Sequence, residues 1–208
     1  MHIAIEGIDG VGKTTLARKL AKDIGFHCIE KHLHALTDGD DIDDIPNYMR
    51  ITSHVNASND ATFRAWFYAL GNLYLKEHYH DTNIVTDRYF ASNYSWNGTP
   101  ENEFIFKELI KLLGKPDITF LIYANPDVRA ERIRHRNPND PDLLNSSIDF
   151  SERMYAKITS FLQKYSFNYY LINTSNMTLE ESLQTIRQIL SHEFPNIFSL
   201  KCENFSKK

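Results

Sequence analysis

Cysteine, charge of one sign and long apolar runs are all scarce in this chain. Only two cysteines occur in 208 residues, Cys28 and Cys202, and neither has a cysteine or histidine spaced around it as zinc ligands would be. A disulfide framework and a structural zinc site are excluded, and a reducing compartment fits. The formal net charge is −4, which leaves no electrostatic footprint for nucleic acid or an anionic membrane surface. No apolar run approaches the roughly 18 residues of a membrane span, and Met1 leads straight into an apolar segment without a signal-peptide pattern. The 8 glycines and 7 prolines are scattered, so no linker splits the chain, and no internal repeat is visible. These absences leave a single cytoplasmic globular domain over residues 1–208, long enough to bury a core without staples.

Short apolar runs alternate with longer helical patterns, the signature of βαβ units around a parallel sheet. The strand candidates are Ile3–Glu6, His27–Glu30, Asn83–Asp87, Ile118–Ala124 and Tyr169–Asn173. Lys13–Ile24 puts Leu16, Leu20 and Ile24 on one helical stripe. Ala61–Glu77 carries large apolar residues all round and is expected to be buried. Asn102–Leu113 is amphipathic, with Phe104, Ile105, Leu109, Leu112 and Leu113 inward. Pro126–Arg134 opens with proline just inside the helix, and Ile148–Tyr165 and Leu179–His192 complete the set. Two stretches read as surface loops: 37–45, with Asp38, Asp40, Asp41, Asp43 and Asp44, and 137–147, rich in Asn, Pro, Asp and Ser. The aspartate spacing does not match a calcium loop, and the pairs His32/His34 and His78/His80 lack an acidic residue to complete a metal set. The tail 195–208, apolar then basic, reads as a cap on the domain or a contact with a partner subunit.

Gly7-Ile8-Asp9-Gly10-Val11-Gly12-Lys13-Thr14 matches G-x-x-x-x-G-K-[ST], between a strand and a helix as that motif requires. Glycines let the backbone turn tightly and aim N–H groups at phosphate oxygens, and the helix adds its positive end. Residues 7–15, through Thr15, are therefore the candidate ATP-binding loop. Lys13 reaches the β- and γ-phosphates, and the Thr14 hydroxyl, with Asp87 at the end of a later strand, is a candidate Mg²⁺ ligand. Such a loop leaves open a kinase, a GTP switch or an ATP-driven motor. The guanine-reading Asn-Lys-x-Asp is absent. Where a hydrolytic ATPase ends its second strand in Asp-Glu, this chain has Asp87-Arg88, and an arginine suits clamping a phosphate better than activating water. Arg129, Arg132 and Arg136 fall at i, i+3 and i+7 on one helical face that runs into the irregular loop. Basic residues there suit a lid closing over transferring phosphates.

MHIAIEGIDGVGKTTLARKL, TDRYFASNYSW, KPDITFLIYANPDVRAERIRHR and IDFSERMYAKI are similar to four successive blocks of thymidylate kinases. The resemblance implies an α/β three-layer P-loop kinase fold, a five-stranded parallel sheet with helices on both faces, and often a homodimer. It implies ATP-Mg²⁺ as donor and a deoxynucleoside monophosphate as acceptor (dTMP + ATP to dTDP + ADP), with a lid at about 132–147 and an acceptor region at about 31–100. By that resemblance Asp9 lies beside the acceptor's sugar and phosphate, and Arg88 holds the acceptor phosphate. Asn93 sits by phosphate and base, Trp96 screens the sugar 2′ position, and the catalytic arginine comes from the lid as Arg132, Arg134 or Arg136.

The chain also departs from the family. Residues 29–34 read Ile-Glu-Lys-His-Leu-His where the family commonly shows Phe-Pro-Arg or Arg-Glu-Pro-Gly-Gly. On the helix that normally carries Phe-x-x-x-Arg against thymine, Tyr68 is the residue to stack on a base and Asn72 replaces the arginine. Three readings stay open: a nucleoside monophosphate kinase, a deoxynucleoside kinase with Glu30 as base for a 5′-hydroxyl, and a nucleotide-binding module without turnover.

Overall fold

All five expected strands form: β1 (His2–Glu6), β2 (His27–Ile29), β3 (Ile84–Asp87), β4 (Ile118–Tyr123) and β5 (Tyr169–Asn173). In this computed structural model, which describes residues 1–39 and 42–198, they make one parallel sheet in the order β2-β3-β1-β4-β5. β1 and β4 are nearly continuous apolar runs, as strands covered on both faces must be. The chain leaves β1 toward one side for β2 and β3, then crosses to the other for β4 and β5. That reversal opens a crevice beyond the carboxyl end of β1, where open α/β sheets bind ligands.

Eight α-helices are described: α1 (Lys13–Ile24), α2 (Pro46–Asn56), α3 (Ala61–Tyr79), α4 (Phe90–Asn97), α5 (Glu103–Leu113), α6 (Pro126–Arg136), α7 (Ile148–Lys164) and α8 (Leu179–Glu193). α1 packs on β2 and β3 and meets α8, while α4 is wedged between α3 and α7 on the other face. The result is an α/β three-layer fold. Tyr94 of α4 stacks on Phe161 of α7 at 4.5 Å between centroids and meets Phe106 of α5 edge-on at 5.0 Å. Ile197 of the tail is buried in the core; residues 199–208, with Cys202, and Asp40 and Asp41 lie outside the described residues. Among the described residues no helix is long and apolar enough to cross a membrane.

Several sequence expectations need correction. α3 is not buried all round: Phe63, Trp66 and Leu70 are each 47% exposed, and its inner face is the small-residue side with Ala65, Ala69 and Gly71. In α5, Ile105, Phe106 and Leu109 point inward, but Phe104 and Leu112 face outward. α2 and α4 have no counterpart in the sequence reading. α4 buries Phe90, Ala91, Ser92, Asn93, Ser95 and Asn97, so it has no polar face to betray a period. α2 starts on Pro46, and Asp38 of the acidic loop accepts from the Asn47 and Tyr48 amides at 2.8 and 2.7 Å. That aspartate is a helix anchor. The 137–147 loop contains a 3-10 turn, Pro141–Asn145, capped by Asp140.

The element joining the two halves of the site is Glu6, 1% exposed at the end of β1. Its carboxylate accepts from the amides of Tyr89, Ala91 and Ser92 at 2.9–3.0 Å and from the Ser92 hydroxyl. Burial pushes its pKa up, while Ser92, Arg88 and the amides oppose that shift. Glu6→Ala strands those donors in a dry place. Urea unfolding should show a loss of roughly 3–5 kcal/mol, the usual cost of breaking a buried charged network from one side. A loss below about 1 kcal/mol would mean that water replaces the carboxylate and that α4 is anchored elsewhere.

Candidate active site

β1 feeds directly into the phosphate-binding loop. Gly7 has φ 140°, and a Cβ there would stand 2.5 Å from the Ile122 carbonyl oxygen; Gly12 has φ 91° at the N-cap of α1. Both positions require glycine. No side chain caps α1, so its first-turn amides and dipole are left to a ligand. Asp9 through Thr15 line a cleft of about 1420 Å³, whereas Gly7 and Ile8 stand behind its wall. Lys13, 5% exposed, donates from Nζ to the Ile8 carbonyl at 2.7 Å. Burial and the neighbouring Arg88 guanidinium pull its pKa down to about 8, against the carboxylates of Asp9, Asp87 and Glu6.

Thr14 Oγ1 donates to Asp87 Oδ2 at 2.5 Å, and Asp87 Oδ1 is buried without a partner. A hydroxyl and a free carboxylate oxygen are the hard donors that Mg²⁺ takes, usually with phosphate oxygens completing its shell. Among the described residues no group of three or more His, Cys, Asp and Glu could hold a metal alone, so the residues fit a cation brought with a nucleotide.

Arg88 faces the loop across the cleft. Its backbone is left-handed at φ 74°, and its amide donates to Ile5 at 2.9 Å. Its guanidinium pairs with Asp9 Oδ1 and reaches the Gly7 carbonyl and Ser92 Oγ, each at 3.3 Å. Burial pushes the Asp9 carboxyl up, but Arg88 and Lys13 outweigh it and hold Asp9 below the ordinary range. The cleft therefore keeps a charged carboxylate between two cations.

α3 presents Arg64, Tyr68 and Asn72, at i, i+4 and i+8, to the same cleft. Arg64 donates to Asn97 Oδ1 at 2.8 Å and to the Ser58 carbonyl, and the Tyr68 hydroxyl donates to Asn56 Oδ1 at 2.7 Å. Asn72 is buried, with no partner for Nδ2. Asn93 lines the cleft, but its amide is committed to the Ala65 carbonyl and the Asn97 side chain, both at 3.0 Å. Trp96 lies at the rim against Phe150. Arg64 and Glu6 have no site role in the sequence reading, and His32 enters it only as half of a rejected metal pair. Arg64 was legible in its i, i+4 spacing to Tyr68, whereas the contacts of Glu6 and His32 are made across distant segments.

The arginine cluster divides. Arg129 is fully buried and donates to the Asp9 carbonyl, Ser151 Oγ and the Asn145 carbonyl. It is a strut under the loop, which corrects its expected place in the lid. Arg132 reaches the Val11 carbonyl at 3.3 Å and Thr174, whose carbonyl it meets at 2.9 Å. Arg136 pairs with Asp140 and Asp142 at 2.7 and 2.8 Å. Arg132 and Arg136 border the cleft; Arg134 is exposed and does not. Glu30 also borders the cleft but is held bidentately by Arg18, at 2.5 and 2.9 Å.

A family model described as thymidylate kinase matches residues 5–186. A probable thymidylate kinase from Metallosphaera sedula is 25% identical over 201 residues, covering 91% of this chain and 93% of that one. Among solved structures, a thymidylate kinase from Candida albicans is similar at TM-score 0.64 and 15% identity, covering 92% of this chain and 91% of that one. A deoxyadenosine kinase from M. mycoides with bound dCTP is similar at TM-score 0.61 and 16% identity, covering 92% and 100%. At that identity the two structures speak for the fold alone.

The Lys13 environment yields a pH profile. An ammonium with a pKa of about 8 loses its charge as pH rises through 8, so kcat/KM for ATP should fall there, reporting the free enzyme. Bound phosphate favours the charged form, so kcat should hold to higher pH. Lys13→Ala should lower kcat by about 10²–10³ or more with the circular dichroism spectrum unchanged. A flat kcat/KM profile from pH 7 to 9.5 would contradict this assignment.

Proposed function

The chain belongs to the thymidylate kinase family of nucleotide kinases, and from that membership we propose that its cleft transfers the terminal phosphoryl group of ATP to a deoxynucleoside monophosphate, dTMP giving dTDP and ADP. One observation carries this reading: two phosphate-binding groups face each other across the cleft, Lys13 on the glycine loop and Arg88 on the turn after β3, with Asp9 between them. Loop amides from Asp9 to Thr15 hold the donor phosphates, and Lys13 neutralises charge growing on the transferred group. Mg²⁺, when held by Thr14 and Asp87, adds positive charge to the same phosphate oxygens. Arg88 offers its fork to the acceptor phosphate and keeps it in line. Asp9 orients Arg88 and borders the sugar, Trp96 limits the sugar's 2′ side, and Asn93 positions α4 against α3. Arg136, released from Asp140 and Asp142 as the 132–147 lid closes, brings charge to the transition state, and Arg132 pins that lid to the loop.

A monophosphate oxygen is already anionic and needs no general base. Glu30 has both carboxylate oxygens engaged by Arg18, which supports the monophosphate over a nucleoside acceptor; an intact Lys13, Thr14 and set of cleft arginines speaks against a silent binding module. The whole of 1–208 acts as one domain, with its acceptor region at about 31–100. The free thiol of Cys28 fits a reducing cytoplasm.

The partner is a second copy of the chain. Phe63, Trp66 and Leu70 form an exposed apolar stripe on α3, the kind of face that a two-fold axis pairs with itself. Trp66→Glu should shift sedimentation from dimer to monomer, and a wild-type protein that sediments as a monomer at micromolar concentration removes the dimer from the proposal.

Arg88→Ala should cost roughly 2–5 kcal/mol in kcat/KM for dTMP, as truncated buried charge pairs do. Glu30→Gln should leave that value within about tenfold, because no proton need be removed. The nucleoside reading makes the opposite demand: turnover of deoxynucleosides that collapses by about 10²–10⁴ in Glu30→Gln. ADP release measured with dTMP and with thymidine on the three proteins decides between them.

A further inference from the structure

Gly71 and Asn72 interrupt an otherwise bulky helix, and His32 follows the short strand β2. A Cβ at Gly71 would stand 3.2 Å from His32 Cβ and 3.6 Å from its Cδ2, so the imidazole packs on α3 at the residue next to Asn72. His32 Nε2 lies 3.1 Å from the Arg88 carbonyl oxygen. A carbonyl only accepts, so Nε2 carries the proton and Nδ1 is a bare lone pair. Burial pulls the His32 pKa down to about 4, and the ring is neutral at physiological pH.

Two buried polar atoms at the cleft are thus left without partners: the His32 Nδ1 acceptor and the Asn72 Nδ2 donor, the latter on a residue 2% exposed. An unmet buried group costs roughly 1–3 kcal/mol, and folds tolerate such groups where a ligand completes them. A phosphate does not suit them, because a lone pair repels anionic oxygens and Lys13 and Arg88 already serve that charge. A planar group with an N–H beside a carbonyl or ring nitrogen does. Tyr68, one turn before Asn72 on the same helical face, offers such a group a flat ring. Arg64, the cation on that face, is committed to Asn97 and Ser58.

We propose that the acceptor's nucleobase is read at its edge by a neutral pair, His32 Nδ1 taking a hydrogen bond from a base N–H and Asn72 Nδ2 giving one to the neighbouring base acceptor. This rests on the monophosphate-acceptor reading above. Thymine offers N3–H beside a carbonyl and cytosine an exocyclic N–H beside N3, so the pair admits both pyrimidines where a cationic fork would demand acceptors only.

Steady-state kinetics with dTMP and dCMP, together with unliganded melting, test the pair on wild type and Asn72→Leu. Wild type should use dTMP and dCMP within about tenfold of each other. Asn72→Leu should raise the KM of both at least about tenfold, leave the KM for ATP and kcat within about threefold, and melt no lower than wild type, since the lost amide made no bond. Asn72→Ser gives the same readout if leucine does not fold. An unchanged acceptor KM with a lowered melting point overturns the proposal, because Asn72 then holds the fold together. So does wild-type preference for dTMP over dCMP beyond about 10³-fold. Wild type that turns over dTMP beside an unaffected Asn72→Leu defeats the pair alone, whereas wild type that turns over no monophosphate defeats the acceptor reading as well.

Discussion

The site depends on one buried carboxylate. Glu6 ends the central strand and gathers the first amides of α4, so the loop that follows β1 and the turn that follows β3 are fixed to each other. Arg88 stands at that turn, its amide on Ile5 and its backbone left-handed. A non-glycine residue holds such a conformation only when its surroundings over-determine it, and the Glu6 cluster is that surrounding. With α4 tethered, the Arg88 guanidinium has little choice but Asp9 and the Gly7 carbonyl. The geometry of both proposed phosphate subsites is thus inherited from a residue that touches neither.

The cleft's four central cations already have hydrogen-bond partners before any nucleotide enters. Arg88 has Asp9, Arg136 has Asp140 and Asp142, Arg132 has carbonyls and Thr174, and Lys13 has the Ile8 carbonyl. These pairings differ in strength. The Arg136 side chain is 56% exposed, so its ion pairs are worth about 0–1 kcal/mol and come apart at little cost. Arg88 and Asp9 are more enclosed, where an opposite charge counts for more. The Arg136 contacts are therefore the ones that part most easily, while the Arg88–Asp9 pair stands preformed, as the proposed electrostatic catalysis requires.

What the sequence disclosed, and what it hid, follows from the range of the interactions. The glycine loop, the strands and the Asp87-Arg88 step are encoded within a few residues each, by backbone need and apolar pattern, and they stand where the sequence puts them. α4 was invisible because its buried positions mix Phe90 and Ala91 with Ser92, Asn93, Ser95 and Asn97, so no apolar stripe marks the 3.6-residue period. α3 misled in the opposite sense, because its large side chains are outside and its small ones inside. Arg129 read as a lid residue because helical spacing says which face a residue is on, and not what lies opposite that face. Here the opposite side holds the Asp9 carbonyl and Ser151. Glu6 and His32 make their defining bonds to segments more than 50 residues away, beyond any local pattern.

Those ranges also separate chemistry from recognition. The groups proposed to handle phosphate come from the glycine loop and the turn after β3, residues 9–15 and 87–88, where a shift of an ångström would disturb the line of transfer. The groups proposed to stand beside the acceptor come from α3 and from the stretch that follows the edge strand β2. A substitution on α3 at Asn72, whose Nδ2 has no partner, changes the shape and polarity of the cleft wall at a position with no hydrogen bond to Glu6, Asp9 or Arg88. The fold can therefore hold its phosphoryl-transfer geometry constant while the acceptor wall varies. The departures from family pattern at residues 29–34 and at Asn72 fall on that wall, while the glycine loop and Asp87-Arg88 keep to it.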